Sequence, residues 1–143
     1  MKIGEIRKLA SNELRTISAD ATVHAAVAKL VEYNIGALPV CDENGELVGI
    51  ITERDVLRRV AAKDAQSALQ QKVAAIMTRN VVVSEPTNDV EYAMHVMTNE
   101  RVRHLPIMVE DKLVDILSIG DVVKAKLDMS DAENRFLRDY VTG

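Results

Sequence analysis

Residues 23–57 read VHAAVAKLVEYNIGALPVCDENGELVGIITERDVL, and residues 90–123 read VEYAMHVMTNERVRHLPIMVEDKLVDILSIGDVV. The second stretch restates the first. Val23 aligns with Val90, Ala26 with Ala93, and Leu38-Pro39 with Leu105-Pro106. After a one-residue difference in the turn, Leu47-Val48 aligns with Leu113-Val114, Thr52 with Ser118 and Asp55 with Asp121. A repeat this short does not easily bury its own apolar face, so the copies are expected to pack on each other. Two copies related by a pseudo-twofold axis form a pair of equivalent clefts, and a cleft lined by both copies suits a ligand.

Working outward, each copy has the same order of elements. A short β-type run (Leu14-Arg15-Thr16-Ile17, or Val81-Val82-Val83) precedes a segment whose apolar residues recur at helical spacing, such as Val23, Ala26, Val27 and Leu30, or Val90, Ala93, Met94 and Met97. Leu38-Pro39-Val40-Cys41 and Leu105-Pro106-Ile107-Met108 read as buried strands. A turn with an Asn44-Gly45 hairpin signal, or the tighter Glu110-Asp111-Lys112, leads to a third strand. That strand runs into a helix starting at Thr52 or Ser118. The fold class is therefore α/β: two β-α-β-β-α units packed through their sheets into one disc. The units are expected at residues 8–64 and 73–128. The polar run 63–72 reads as a linker. Related pre-segments, Ile3-Gly4-Glu5-Ile6 and Val73-Ala74-Ala75-Ile76-Met77, stand before each unit. Residues 129–143 read as a separate C-terminal helix, opened by a capping box of Ser130 and Glu133. Its apolar stripe, Phe136, Leu137, Tyr140 and Val141, either folds back on its own domain or packs on a second subunit.

Composition narrows the function. The 143 residues carry a formal net charge of −4 and are 48% hydrophobic. An acidic chain is a poor general surface for nucleic acid or anionic membrane, because phosphate contacts need a basic face. No apolar run approaches the roughly 20 residues that span a bilayer, and the N-terminus has no signal-peptide core. The expected location is the cytoplasm. The single Cys41 reads as a buried core thiol, with a reactive role as the alternative. His24, His95 and His104 show no metal-ligand spacing with cysteine or carboxylate pairs, and no phosphate loop, dinucleotide fingerprint or nucleophile elbow occurs.

The sharpest local motif is Thr52-Glu53-Arg54-Asp55 with its twin Ser118-Ile119-Gly120-Asp121. A hydroxyl followed three residues later by a carboxylate is a capping box at a helix start. The same pattern also suits a nucleotide. The helix N-terminus offers free N–H groups to a phosphate, and an aspartate can accept both hydrogen bonds of a ribose diol. Cationic residues stand nearby: Arg54, Arg58, Arg59, Arg101, Arg103, His104, Lys124 and Lys126.

On these residues the chain resembles a tandem of cystathionine-beta-synthase (CBS) domains, the Bateman module. The resembling residues are the Ile/Val-x-x-Leu-Pro strands (35–39 and 102–106) and the Leu-Val-x-Ile-Ile/Leu-Thr/Ser-x-x-Asp segments (47–55 and 113–121). The likeness covers about residues 3–126 and is greatest to small bacterial proteins made of one CBS pair. It implies a non-enzymatic regulatory module binding an adenosyl ligand: AMP, ADP, ATP, S-adenosylmethionine or NAD. It implies composite sites. One would use Ile50, Thr52 and Asp55 with Thr78, Val82, Arg103 and His104. The other would use Ile116, Ser118 and Asp121 with Thr16, Ile17, Gly36 and Ala37. Asp55 and Asp121 would hold ribose hydroxyls, Thr52 and Ser118 would contact ribose or phosphate, and the backbone near Ala37 and His104 would read the adenine edge. With few aromatic residues in the chain, adenine would sit between Ile17, Val82, Ile50 and Ile116. Members of this size also imply a homodimer and an effector protein that reads the ligand state.

Two departures break the symmetry. Gly49, usual in the family, is matched by Asp115, whose carboxylate either crowds a phosphate or, the preferred reading, points to solvent. Gly36-Ala37 is matched by Arg103-His104. The site facing Arg103 and His104 is therefore expected to be the better phosphate site. A ligand-free structural adaptor is the alternative function. An enzyme using His104 as acid–base ranks behind both.

Overall fold

The structure, a computed structural model, describes the backbone of residues 1–9 and 14–142, and their side chains except those of 7–9, 132, 134 and 136–142. Helix α1 (Ile3–Leu9) precedes the first unit, which comprises β1 (Ile17–Ser18), α2 (Val23–Glu32), β2 (Ala37–Cys41), β3 (Leu47–Thr52) and α3 (Glu53–Ala62). Helices α4 (Ala65–Gln70) and α5 (Val73–Ile76) lead to the second unit, α6 (Val90–Glu100), β4 (His104–Val109), β5 (Lys112–Ser118) and α7 (Ile119–Thr142).

The repeat is reproduced down to its irregularities. Both first-unit and second-unit hairpins are antiparallel, pairing Pro39 with Ile50 and Pro106 with Ile116. Both slip register at the same place, between Val40 and Cys41 and between Ile107 and Met108. Helices α2 and α6 end beside left-handed residues, Asn34 (φ 52°) and Arg101 (φ 55°). The hairpin turns differ as their lengths require. Gly45 takes φ 79° in the longer one, while Glu110 and Asp111 both take positive φ in the tighter one.

Each unit has its own core. Ile17, Ala26, Leu30, Leu38, Val40 and Ile51 form the first; Val90, Ala93, Met97, Leu105, Ile107, Leu117, Val122 and Ala125 form the second. The pre-segments are exchanged between them. Ile3 and Ile6 complete the second core, and Val73 and Met77 complete the first. The exchange uses the same hydrogen bonds twice. Ile3 N–H donates to Asn88 O and Val90 N–H to Met1 O, while Val73 N–H donates to Ala21 O and Val23 N–H to Gln71 O, all at 2.8–2.9 Å. An amphipathic segment declares that one face is buried, and this exchange decides against which copy.

Four expectations need correction. The first strands are shorter than the apolar runs suggest: β1 is two residues, and residues 81–83 form no strand. Parallel pairing in the second unit shrinks to one bridge, Ser84 with Ile107, so the sheets have three and two strands. Ser84 sits where the first unit has Ile17. It is 2% exposed, and its hydroxyl has no partner among the described residues. The linker contains α4, capped by the Asp64 carboxylate, which accepts from Ser67 N–H at 2.7 Å, and anchored by the buried Ala68. Residues 130–141 are no separate element. They continue α7, because the turn before Ser130 is already helical and held by Val122 and Ala125, and extending a helix is cheaper than nucleating one. The stripe of Phe136, Leu137, Tyr140 and Val141 lies outside the described side chains. Cys41 is half-buried rather than buried, and desolvation, then Asp42, raises its thiol pKa.

Candidate functional site

Each hairpin delivers its second strand into a helix N-terminus, and both starts are pinned to the neighbouring strand. Glu53 N–H donates to Gly36 O at 3.0 Å, and Ile119 N–H to Arg103 O at 2.8 Å. Both hydroxyl–carboxylate motifs are capping boxes. In the first, Thr52 N–H and Oγ1–H donate to Asp55 Oδ2 at 2.9 and 3.1 Å, and Asp55 N–H donates to Thr52 Oγ1 at 3.2 Å. In the second, Ser118 N–H donates to Asp121 Oδ2 at 3.0 Å and Asp121 N–H to Ser118 Oγ at 3.1 Å.

The surroundings of the two boxes diverge. Beside the first, residues 77–78 leave α5 and cross the unit. Ile50 N–H donates to Thr78 O at 2.9 Å and Thr78 N–H to Ile50 O at 2.8 Å. Thr78 Oγ1–H then donates to Asp55 Oδ1 at 3.3 Å, so both carboxylate oxygens are engaged. Gly49 is needed for this crossing. A Cβ there would meet Met77 Sδ at 2.6 Å and Thr78 O at 2.9 Å. Ile50, Thr52, Asp55 and Thr78 are thus brought together as expected, with Thr78 standing against the half-buried Asp55 carboxylate. Val82 packs on the second core, and Arg54 and Arg103 are exposed.

The second box borders an open cleft of about 440 Å³. Gly36, Ala37, Ile116, Ser118 and Asp121 line it, five residues of the predicted second site drawn from both copies. His104 lines it too, which corrects its assignment to the Asp55 site. Its ring lies 3.3 Å from where a Gly36 Cβ would stand, so the absence of a side chain at Gly36 makes room for it. Burial pushes the His104 imidazole below its ordinary value. The Asp121 and Glu53 carboxylates oppose that shift, and Arg103 adds to it. Thr16 and Ile17 do not line the cleft. Ile17 is in the first core, and Thr16 O accepts from Lys29 Nζ at 2.8 Å. Their neighbour Arg15 lines it instead, its guanidinium 3.9 Å over the Tyr33 ring. Asp115 also lines the cleft, which corrects the expectation that it points to solvent. Sequence reasoning missed Arg15, Tyr33, Asn34 and Ile35. The only signal was their adjacency to positions already chosen.

A larger depression, about 630 Å³, lies between Val48, Val81, Tyr92 and the β4–β5 turn, with Glu85, Glu110 and Asp111 at its edge. None of the predicted residues lines it. Among the described residues, no group of histidine, cysteine and carboxylate side chains could hold a metal ion, and no helix is long and apolar enough to cross a membrane.

Two repeats with exchanged segments and a cleft between them define a tandem-repeat module. The CBS domain family model matches the chain twice, over residues 3–62 and 73–128, and the chain belongs to that family as a CBS pair. It is 37% identical over 130 residues to the mitochondrial CBS domain-containing protein CBSX3 of Arabidopsis thaliana, a match spanning 88% of this chain and 63% of that one. The crystal structure of the CBS-domain protein ATU1752 from Agrobacterium tumefaciens superposes with TM-score 0.83 at 35% identity, covering 87% of this chain and 92% of that one. The CBS pair of MJ0100, solved in complex with 5′-methylthioadenosine and S-adenosyl-L-methionine, superposes with TM-score 0.78 at 25% identity, covering 90% of this chain and 98% of that one.

Proposed function

We propose that the chain is a non-enzymatic sensor of an adenosyl small molecule, drawn from AMP, ADP, ATP, NAD and S-adenosylmethionine, and that the second cleft is its main site. The observation carrying this reading is the composite cleft beside Asp121. Its volume lies within the roughly 300–1,000 Å³ usual for small-molecule pockets. The MJ0100 pair, in complex with two adenosyl compounds, supports the ligand class. Asp121 accepts the ribose hydroxyls through the oxygen its own box leaves over. Ser118 and the N–H groups opening α7 face the 5′ substituent. The Ala37 backbone reads the adenine edge, and Ile116 supplies apolar contact to the base. Occupying a cleft lined by both copies shifts the angle between them, and an effector protein reads that shift. Homodimerisation covers Leu57 of α3 and its counterpart Val123 of α7, which are 67% and 45% exposed.

This assignment reverses the sequence expectation that the Asp55 cleft is the better site. Asp55 has both oxygens engaged, and Thr78 stands against it. A purely structural role is the second reading, and that engagement favours it for the first box alone. A thermal-shift screen of AMP, ATP, NAD and S-adenosylmethionine tests the proposal. A rise in Tm with at least one ligand, abolished by Asp121→Ala, is expected. No shift with any of the four overturns it.

A further inference from the structure

Gly49 and Asp115 stand at matching positions of the two copies, and a different group meets the strand at each. The two pre-segments align through their shared bonds: Ile3 with Val73, and Gly4 N–H to Pro86 O (3.0 Å) with Ala74 N–H to Ala19 O (3.0 Å). Continuing that alignment places Arg7 and Lys8 opposite Met77 and Thr78. There the copies part. Helix α5 stops after four residues, and residues 77–78 cross over Gly49 to bond Ile50. Helix α1 runs seven residues and keeps Arg7 and Lys8 helical. The amide that would receive the crossing, Ile116 N–H, is already satisfied by Asp115 Oδ1 at 2.8 Å. In the first copy the matching amide, Ile50 N–H, uses Thr78 O at 2.9 Å.

We propose that Asp115 is a positioning residue that keeps a crossing segment from the strand beside the second cleft by taking that segment's place. It acts in two ways. Its Cβ occupies the space that Gly49 yields to Met77 and Thr78, where any side chain would meet atoms at 2.6–2.9 Å. Its carboxylate replaces the backbone carbonyl the crossing would have brought, so the half-buried Ile116 N–H keeps an acceptor. One residue therefore decides whether a segment crosses the strand that borders the second cleft. The inference that the open cleft is used by an adenosyl ligand rests on the function proposed above; the positioning role does not.

Amide hydrogen exchange resolved at Ile116 tests the role in the full chain, with Asp115→Gly, Asp115→Ala and Asp115→Asn compared with wild type. Asp115→Gly removes both block and acceptor, so Arg7–Lys8 is free to cross; the Ile116 amide is expected to slow by about tenfold or more toward the behaviour of Ile50. Asp115→Ala keeps the block and loses the acceptor, so exchange at Ile116 quickens. Asp115→Asn keeps both and matches wild type. An Ile116 amide that is no slower in Asp115→Gly than in wild type, in a variant that still folds, overturns the proposal. Should Asp115→Gly fail to fold, the Ala and Asn variants decide it: equal exchange in both overturns it. AMP titrated into the same proteins separates the two readings. With the exchange pattern as expected, loss of AMP binding in Asp115→Gly alone supports both, and no AMP binding in any variant leaves the positioning role standing while counting against an AMP site.

Discussion

A segment crosses over a strand of the first copy, and in the second a side chain stands at the matching place. In the first, a crossing segment lies over Gly49, Thr78 reaches Asp55, and three strands make the sheet. In the second, a side chain stands where the crossing would be, the sheet has two strands, and a cleft remains beside Asp121. Both copies keep the same hairpin register, the same bulge position and the same capping box. Duplication conserves the frame, and a few substitutions at contact points between copies reassign what each half does.

The exchanged pre-segments make the third residue of the chain a core residue. Ile3 is fully buried, as is its counterpart Val73. Ile3→Ala should lower stability by about 2–4 kcal/mol, the cost of a large-to-small core change, and Val73→Ala should cost somewhat less. Urea unfolding measures both. A loss below about 0.5 kcal/mol for Ile3→Ala, the range of a surface change, would break the claim that the copies complete each other's cores.

The two boxes should separate stability from binding. Asp55 accepts three hydrogen bonds, from Thr52 N–H, Thr52 Oγ1 and Thr78 Oγ1, whereas Asp121 accepts from Ser118 N–H. Asp55→Ala should therefore destabilise by about 1–2 kcal/mol and Asp121→Ala by about 0.5–1 kcal/mol. Reversal of that order in thermal unfolding would mean that the first box is not the structural one.

The smallest effect is in pH. His104 lies between the copies, faced by Asp121 of α7, Glu53 of α3 and Arg103 of its own segment, and burial holds its pKa below the ordinary 6.5. The unfolded chain then takes up the proton first as pH falls. Stability contributed by neutral His104 is complete above about 6.5 and is lost as pH drops from there toward the lowered folded value. Wild type should lose more stability than His104→Gln between about pH 7.5 and about pH 5.5. Equal losses would remove His104 from the contact between copies.

Much of this was legible before the structure. The aligned Leu-Pro and Thr/Ser-x-x-Asp segments fixed two hairpins, each running into a helix, and the capping boxes form as their spacing requires. Gly36, Ala37, Ile116, Ser118 and Asp121, expected together from the sequence, do line one cleft. What was hidden was relational. The pattern in Ile3-Gly4-Glu5-Ile6 marks a buried face without saying that the face belongs to the other copy. Ser130 and Glu133 spell a helix start, and only the helix already running through Val122 and Ala125 cancels it. His104 was placed with Asp55 because its position in the sequence does not say which cleft a residue near the axis faces. Asp115 stood out as a departure from Gly49, but its bond to Ile116 N–H depends on a backbone geometry that composition does not carry.

The most direct test of the unequal clefts is calorimetric titration of AMP and of S-adenosylmethionine into wild type, Asp55→Ala and Asp121→Ala. The account predicts one main site per chain for whichever ligand binds, weakened about 10- to 100-fold by Asp121→Ala, as loss of roughly 1.5–3 kcal/mol of charge-assisted hydrogen bonding implies, and kept by Asp55→Ala. Binding lost on Asp55→Ala and kept on Asp121→Ala would contradict it.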